Sequence, residues 1–270
     1  MRVIIQESYE NVSQWVANYV ITKINKAAPT ASKPFILGLP TGSTPIGVYR
    51  ALIEHNKVGR VSFKHVVTFN MDEYVGLAEN HPQSYHHFMY EYLFNHIDID
   101  KKNIHILNGQ AEDVEAECLA YEEAIKTLGG IDLFLGGTGL NGHLAFNEPG
   151  SSLASRTRKV ELTRSTIEAN SRFFEHDLSK VPTTALTVGI GTILDSKEVL
   201  ILLNGETKGF ALQNAVEGGV SIHWPITALQ LHPAGIIVCD EKAASELKTK
   251  TYDFFKFTER ENLAPESQLK

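Results

Sequence analysis

Short, almost wholly apolar runs recur along this chain at 3–5, 35–39, 65–69, 131–135, 185–190, 199–203 and 235–239. Each is too short for a buried helix and carries apolar side chains on both of its faces, which marks strands covered on both sides. Segments of helical periodicity separate them. Within 9–27 the apolar residues Val12, Trp15, Val16, Tyr19, Val20 and Ile24 share one helical face, and Pro29 stops the run. A second helix carries Ile46, Val48, Tyr49, Leu52 and Ile53, with Pro45 suited to its first turn. Further helices are predicted over 84–95, 111–128 (ended by Gly129 and Gly130), 165–174, 208–217 and 243–257. Strands alternating with helices require crossover connections and so a mostly parallel sheet with helices on both faces. The expected class is α/β, Rossmann-like, and a single domain over 1–270 is the economical reading.

Composition removes several kinds of function. A formal charge of −7 without clustered Lys or Arg argues against a nucleic-acid partner. Cys118 and Cys239 stand far apart and outside any C-x-x-C or metal-ligand spacing, so they read as buried thiols. The N-terminus meets charge too early for a secretory signal, and no apolar run approaches 18 residues. A cytoplasmic protein without membrane contact is expected.

Chemistry-bearing residues gather where strands are expected to end. The run 131–135 passes into Gly136, Gly137, Gly139 and Gly142, which deliver Asn141, His143 and Glu148. In open α/β sheets, ligands bind beyond the carboxyl ends of strands, and a His beside a carboxylate is a plausible acid–base pair. The loop Pro40-Thr-Gly-Ser-Thr44 joins a strand to a helix start, where backbone N–H groups, hydroxyls and the helix dipole can cradle an anion. It lacks the Gly-Lys-Ser/Thr of a P-loop. Asp72 follows the run 65–69 among Phe69, Met71 and Tyr74, where desolvation could make it a base for a carbon-bound proton. Arg172 and Lys208 could clamp a phosphate. Each feature also has an ordinary reading: a glycine-rich turn, a helix start capped by Thr44, a solvated acid beside Glu73, or charged helix ends. Together they sketch a pocket for a phosphorylated polar metabolite that undergoes proton transfer. The polar stretch 149–158, without clear periodicity, fits a functional segment better than an idle one.

Six segments in order closely resemble the glucosamine-6-phosphate deaminase family, also called glucosamine-6-phosphate isomerases. They are 37–45, 67–75, 142–149, 151–158, 169–174 and 185–192, and the likeness extends from residue 1 to about 257. The resemblance implies cofactor-free conversion of glucosamine 6-phosphate and water to fructose 6-phosphate and ammonia, with no metal. It implies that Asp72 moves a proton from C2 to C1 through an enolamine. His143, supported by Glu148 and Asn141, would open the sugar ring. Thr41, Gly42, Ser43, Thr44, Arg172 and Lys208 match phosphate-binding positions, and Gly137 joins them at the substrate. The longer members of the family are commonly hexamers, so a homo-oligomer is expected.

Three departures qualify the resemblance. Position 141 is Asn where longer members usually carry Asp; an amide can orient His143 but cannot support an imidazolium by charge. Ser151, Ser152 and Arg158 match the family's site for the activator N-acetylglucosamine 6-phosphate. Yet Val160, Glu161 and Phe254 stand where Lys, Thr and Tyr are usual. Losing a cation and gaining an anion beside a phosphate costs on the order of a few kcal/mol, so activation is expected to be weakened or lost. Third, Ser221-Ile-His-Trp-Pro225 replaces Asn-His-Met-Trp-Thr, and Pro225 removes a backbone donor. A lactonase or another sugar-phosphate isomerase is the nearest alternative enzyme. A sugar-phosphate sensor without turnover is the alternative of another class, although the basic helix-turn-helix segment of such regulators is missing from this sequence.

Overall fold

A computed structural model describes residues 1–269. Its elements, in chain order, are β1 (Arg2–Gln6), α1 (Tyr9–Ala27), β2 (Phe35–Leu39), α2 (Ile46–Lys57), β3 (Val66–Asn70), β4 (Asp72–Tyr74), α3 (Tyr85–Tyr92), β5 (Ile104–His105) and α4 (Val114–Thr127). They continue as β6 (Leu133–Gly137), β7 (Arg158–Glu161), α5 (Arg164–Asn170), β8 (Thr184–Thr187), α6 (Ile190–Leu194), β9 (Val199–Leu203), α7 (Gly209–Glu217), β10 (Gly235–Asp240) and α8 (Thr249–Thr258).

The main sheet has seven strands in the order β1-β10-β9-β6-β2-β3-β5, and every pairing in it is parallel. Alternation along each strand divides the core into two layers. Leu37, Leu39, Leu133, Leu135, Leu200 and Leu202 pack on one face with Trp15, Val16 and Val20 of α1 and Val48 and Leu52 of α2. Ile36, Phe134, Val199 and Ile201 pack on the other with Tyr121 and Ile125 of α4 and Leu212 and Ala215 of α7. Helices on both faces explain why the strands tolerate no polar alternation. Burying one such side chain contributes roughly 1.5–3 kcal/mol.

Several expectations need correction. The run 185–190 is not a strand of the main sheet. β8 lies in a second, three-stranded antiparallel sheet of order β4-β8-β7, and α6 has already begun at Ile190. The turn is enforced at Gly189, where a Cβ would sit 2.0 Å from the Ser155 carbonyl oxygen. Asp72 is therefore not in an open loop but opens β4, paired with Thr187. The segment 149–157 is irregular as expected, but β7 starts at Arg158 and was not anticipated. The last helix starts at Thr249, not 243, and the helix expected over 165–174 ends at Asn170 before a 3-10 turn, Ser171–Phe173.

Candidate active site

β9, β6, β2 and β3 are consecutive neighbours in the main sheet. Their carboxyl ends carry, in the same order, Lys208, the 137–148 loop, the 40–44 loop and Asp72. Residues widely separated in sequence thus converge along one rim of the sheet, as the parallel topology demands.

At both ends of the 40–44 loop the carbonyls are engaged, and its amides are free. The Leu39 carbonyl accepts from Asn70 Nδ2 at 3.2 Å, and the Pro40 carbonyl accepts from the Tyr49 hydroxyl. The Thr44 carbonyl accepts from the Tyr9 hydroxyl at 3.0 Å. Among the described residues, the N–H groups of Thr41, Gly42, Ser43 and Thr44 donate to nothing. Gly42, at φ 98, takes a conformation that a side chain would strain. Thr44 does not cap its helix as the ordinary reading held, since its hydroxyl donates to Asn204 Oδ1 at 2.9 Å and Pro45 precedes α2 without a side-chain cap. Free amides just before the N-terminus of a twelve-residue helix are groups able to receive an anion.

Two cations stand by. Lys208 Nζ donates to the Thr138 carbonyl at 2.7 Å, which bends it towards the 137–148 loop. Burial and the nearby Arg172 push the Lys208 ammonium below the ordinary lysine range. Arg172 lies exposed in the turn after α5, with its guanidinium 4.6 Å from the Phe173 ring centroid.

The 137–148 loop brings Asn141, His143 and Glu148 together. Asn141 Nδ2 donates to Glu148 Oε2 at 2.7 Å, and the same carboxylate oxygen lies 3.7 Å from His143 Nδ1. Asn141 Oδ1 accepts from the backbone N–H of His143 at 3.3 Å. Asn141 therefore orients Glu148 and the His143 main chain, not the imidazole ring. Burial opposes ionisation of Glu148, yet His143, Thr166 and Asn141 together hold its carboxyl down to about 2. The loop depends on Gly142 at φ 78 and on Ala145 at φ 52, a left-handed conformation that is strained for a residue with a Cβ. Gly139 makes room for the imidazole, because a Cβ there would lie 2.1 Å from His143 Cε1.

Asp72 is 6% exposed, and its Oδ1 has no hydrogen-bond partner. Burial first, and then the charge of Glu73, push its carboxyl well above the usual carboxylate range. Glu73 is not a solvated loop acid either: it accepts from the N–H groups of Tyr74, Tyr85 and His86 at 2.8, 3.0 and 2.9 Å and so anchors the start of α3. The second sheet ties Asp72 to the His143 loop. Thr187, opposite Asp72, accepts from Phe146 N–H at 3.1 Å through its hydroxyl, and the Val188 carbonyl accepts from Asn147 Nδ2 at 2.8 Å.

The other candidates divide. Arg158 donates to Asn147 Oδ1 at 2.8 Å and to Ser151 Oγ at 3.4 Å, whereas Ser152 Oγ accepts from the N–H of Ala154 within its own turn. Val160 packs on the cluster of Tyr74, Phe146 and Phe174, and Glu161 is exposed. Phe254 lies exposed on α8, which packs on β1 at the far edge of the main sheet. Pro225 heads a 3-10 helix, where its missing donor is not required. Trp224 beside it would lie 2.8 Å from a Cβ at Gly142. Thr166, whose hydroxyl donates to Glu148 Oε1, and Asn204 belong to the site but stand out by no local pattern.

The Asn141–Glu148 bond carries a test of its own. In Asn141→Asp a donor is replaced by a second carboxylate at hydrogen-bond distance, and the pair cannot both ionise freely. The acid limb of the pH–rate profile is expected to move to higher pH; an unmoved limb would show that this contact has no electrostatic weight.

Comparison with known proteins gives the family. Residues 7–237 match the family model described as glucosamine-6-phosphate isomerases/6-phosphogluconolactonase. The glucosamine-6-phosphate deaminase of Phocaeicola vulgatus is 65% identical over 263 residues, covering 97% of this chain and 100% of that one. That of Parabacteroides distasonis is 63% identical over 270 residues and 100% of both chains. Among solved structures, a monomeric glucosamine-6-phosphate deaminase superposes with a TM-score of 0.87 at 42% identity, over 91% of this chain and 100% of the other. A 6-phosphogluconolactonase from Thermotoga maritima shares the fold, with a TM-score of 0.69 at 18% identity over 89% of this chain and 99% of that one. The chain belongs to the family of glucosamine-6-phosphate isomerases and 6-phosphogluconolactonases, among its glucosamine-6-phosphate deaminases.

Proposed function

We propose that this chain converts glucosamine 6-phosphate and water to fructose 6-phosphate and ammonia. The observation that carries the reading is Asp72, a buried carboxylate with a free oxygen and a raised pKa, on the rim that also holds the free loop amides and His143. A carboxylate in that state is a strong base when ionised, which removal of a proton next to a carbonyl requires.

In this proposal the phosphate binds the N–H groups of Thr41, Gly42, Ser43 and Thr44 and the hydroxyls of Thr41 and Ser43, with Lys208 and Arg172 supplying the charge. His143 takes the proton of the C1 hydroxyl and delivers it to the ring oxygen as the C1–O bond of the ring breaks. Glu148, with Asn141 as its donor, steadies the imidazolium. Asp72 removes the C2 proton to give the enolamine and returns it to C1, leaving an imine at C2. Water adds to C2 and ammonia departs, giving the ketose. Gly137 lets the sugar approach the end of β6. No step uses a metal or an organic cofactor, and 1–270 acts as one unit.

Assembly into a homohexamer in the cytoplasm is part of the proposal, on the likeness to longer family members. A solved relative is described as monomeric, and light scattering on the purified chain distinguishes the two states. No helix among the described residues is long and apolar enough to cross a membrane.

The test is incubation with glucosamine 6-phosphate, measuring fructose 6-phosphate and ammonia with and without N-acetylglucosamine 6-phosphate. Equal release of both products is expected, with little or no activation by the acetylated sugar because Val160 is turned into an apolar cluster and Glu161 adds an anion. Binding without turnover would overturn the reading in favour of a sensor. Strong activation would overturn the regulatory part alone.

A further inference from the structure

The phosphate loop needs something to keep its carbonyls away from the anion, and that brace comes from a helix outside the site. Tyr9 is the first residue of α1, whose N-cap Ser8 fixes the helix start by accepting from Asn11 N–H at 3.2 Å. Its hydroxyl accepts from the N–H of Gly47 at 2.9 Å and donates to the Thr44 carbonyl at 3.0 Å, with the Ser43 carbonyl at 3.3 Å. One side-chain atom therefore joins an orphan donor in the first turn of α2 to the last carbonyls of the loop. The close approach depends on Gly47, where a Cβ would lie 2.2 Å from Ser13 Oγ and 2.9 Å from the Tyr9 hydroxyl. The half-buried ring borders a cavity of about 320 Å³ shared with Ser13, Gly47 and His55, and its hydroxyl makes the bonds that tie it to α2 and the loop.

We propose that Tyr9 is a positioning residue for the substrate phosphate, acting through the loop carbonyls without touching the anion. The inference rests on the reading of 41–44 as the phosphate cradle. A peptide plane has one orientation: holding the Ser43 carbonyl towards α1 turns the Thr44 N–H, in the same plane, towards the rim, while the bond to the Thr44 carbonyl fixes the Thr44–Pro45 peptide that carries the loop into α2. Without the hydroxyl the Ser43 carbonyl keeps only the long bond from the Ile46 N–H at 3.4 Å and the Thr44 carbonyl keeps none among the described residues, so the loop is less firmly held, and a carbonyl turned towards the anion repels it. Chemistry at C1 and C2 lies at the other end of the substrate and does not depend on this brace.

Tyr9→Phe keeps the ring and removes only the hydroxyl. Because one hydrogen bond is worth a factor of about two to ten, KM for glucosamine 6-phosphate is expected to rise about fivefold, with kcat and the pH profile unchanged. The dissociation constant of inorganic phosphate, measured by calorimetry, is expected to rise by the same factor. Ser13→Ala, at the same α1–α2 contact and with a hydroxyl that has no partner, is the control and leaves both constants unchanged. Equal constants for wild type and Tyr9→Phe would overturn the proposal, as would a fall in kcat alone or an equal shift in Ser13→Ala. If the wild type binds phosphate but does not process the amino sugar, the functional reading fails while the phosphate constants still decide the role of Tyr9.

Discussion

Replacing Asp72 by Asn is expected to lower kcat by about three orders of magnitude while KM stays within about threefold, because general-base catalysis is worth roughly 10²–10⁴ and the phosphate anchor is untouched. The pH dependence follows from the same burial. With the ionised carboxylate as the proposed base, activity is expected to rise as pH passes upward through a pKa that burial has placed above the ordinary 3.8. The acid limb of kcat/KM is expected above that value in the wild type and lost in the variant. Stability moves the other way. A carboxyl whose pKa is raised in the folded state holds its proton more tightly folded than unfolded, so its contribution to stability falls as pH rises through that window. Asp72→Asn is therefore expected to melt at a higher temperature than the wild type at neutral pH, with the gain vanishing below about pH 4. A variant that is both less active and less stable at pH 7 would mean that Asp72 supports the fold rather than the chemistry.

The second large effect is expected at Gly139. Ala there places a methyl 2.1 Å from Cε1, 2.4 Å from Nδ1 and 2.5 Å from Nε2 of His143, so the ring must leave its position. The backbone has no objection, since Gly139 is not among the residues with positive φ. The ring is the free end of a side chain 27% exposed, so it can swing away cheaply. Turnover is expected to fall about a hundredfold, the order that a misplaced catalytic group costs, while the melting temperature moves by no more than a few degrees. Circular dichroism and kcat together decide it: a large loss of stability would make Gly139 a structural glycine, and undiminished turnover would remove His143 from the mechanism.

Six of the seven strands of the main sheet were legible because they are buried on both faces, and Phe35–Leu39 and Val199–Leu203 match their apolar runs residue for residue; β5, two half-buried residues at the sheet edge, has no apolar run and was not read. The second sheet was not legible. β4 is three residues long, and Arg-Lys-Val-Glu in β7 has no apolar run; both exist because β8 pairs with them. The run 185–190 looked like the neighbouring strands, and nothing local revealed the chain turning at Gly189 against Ser155. In the site, the residues at strand exits could be picked out because α/β topology says where to look. The partners that hold them could not. Tyr9 reaches Thr44 across 35 positions and Thr44 reaches Asn204 across 160. Asn141 could be named but not aimed, because its contact with Glu148 depends on the path of a loop strained at Ala145.

The order of strands on the rim also bears on how the protein is made. β6 stands between β9 and β2, and β10 between β9 and β1, so neighbours in the sheet come from distant parts of the chain. Parallel pairings of this kind close long loops before any contact rewards them, and they form slowly. The free amides of 41–44 and the ammonium of Lys208 come onto one rim only when β9, with β6 beside it, has joined β2. A ribosome-bound chain that has not yet released residues 199–208 thus holds Asp72, His143 and the 41–44 loop, but not yet the rim that sets Lys208 beside them. Enzymatic competence is in this sense a clock that starts when the sheet closes.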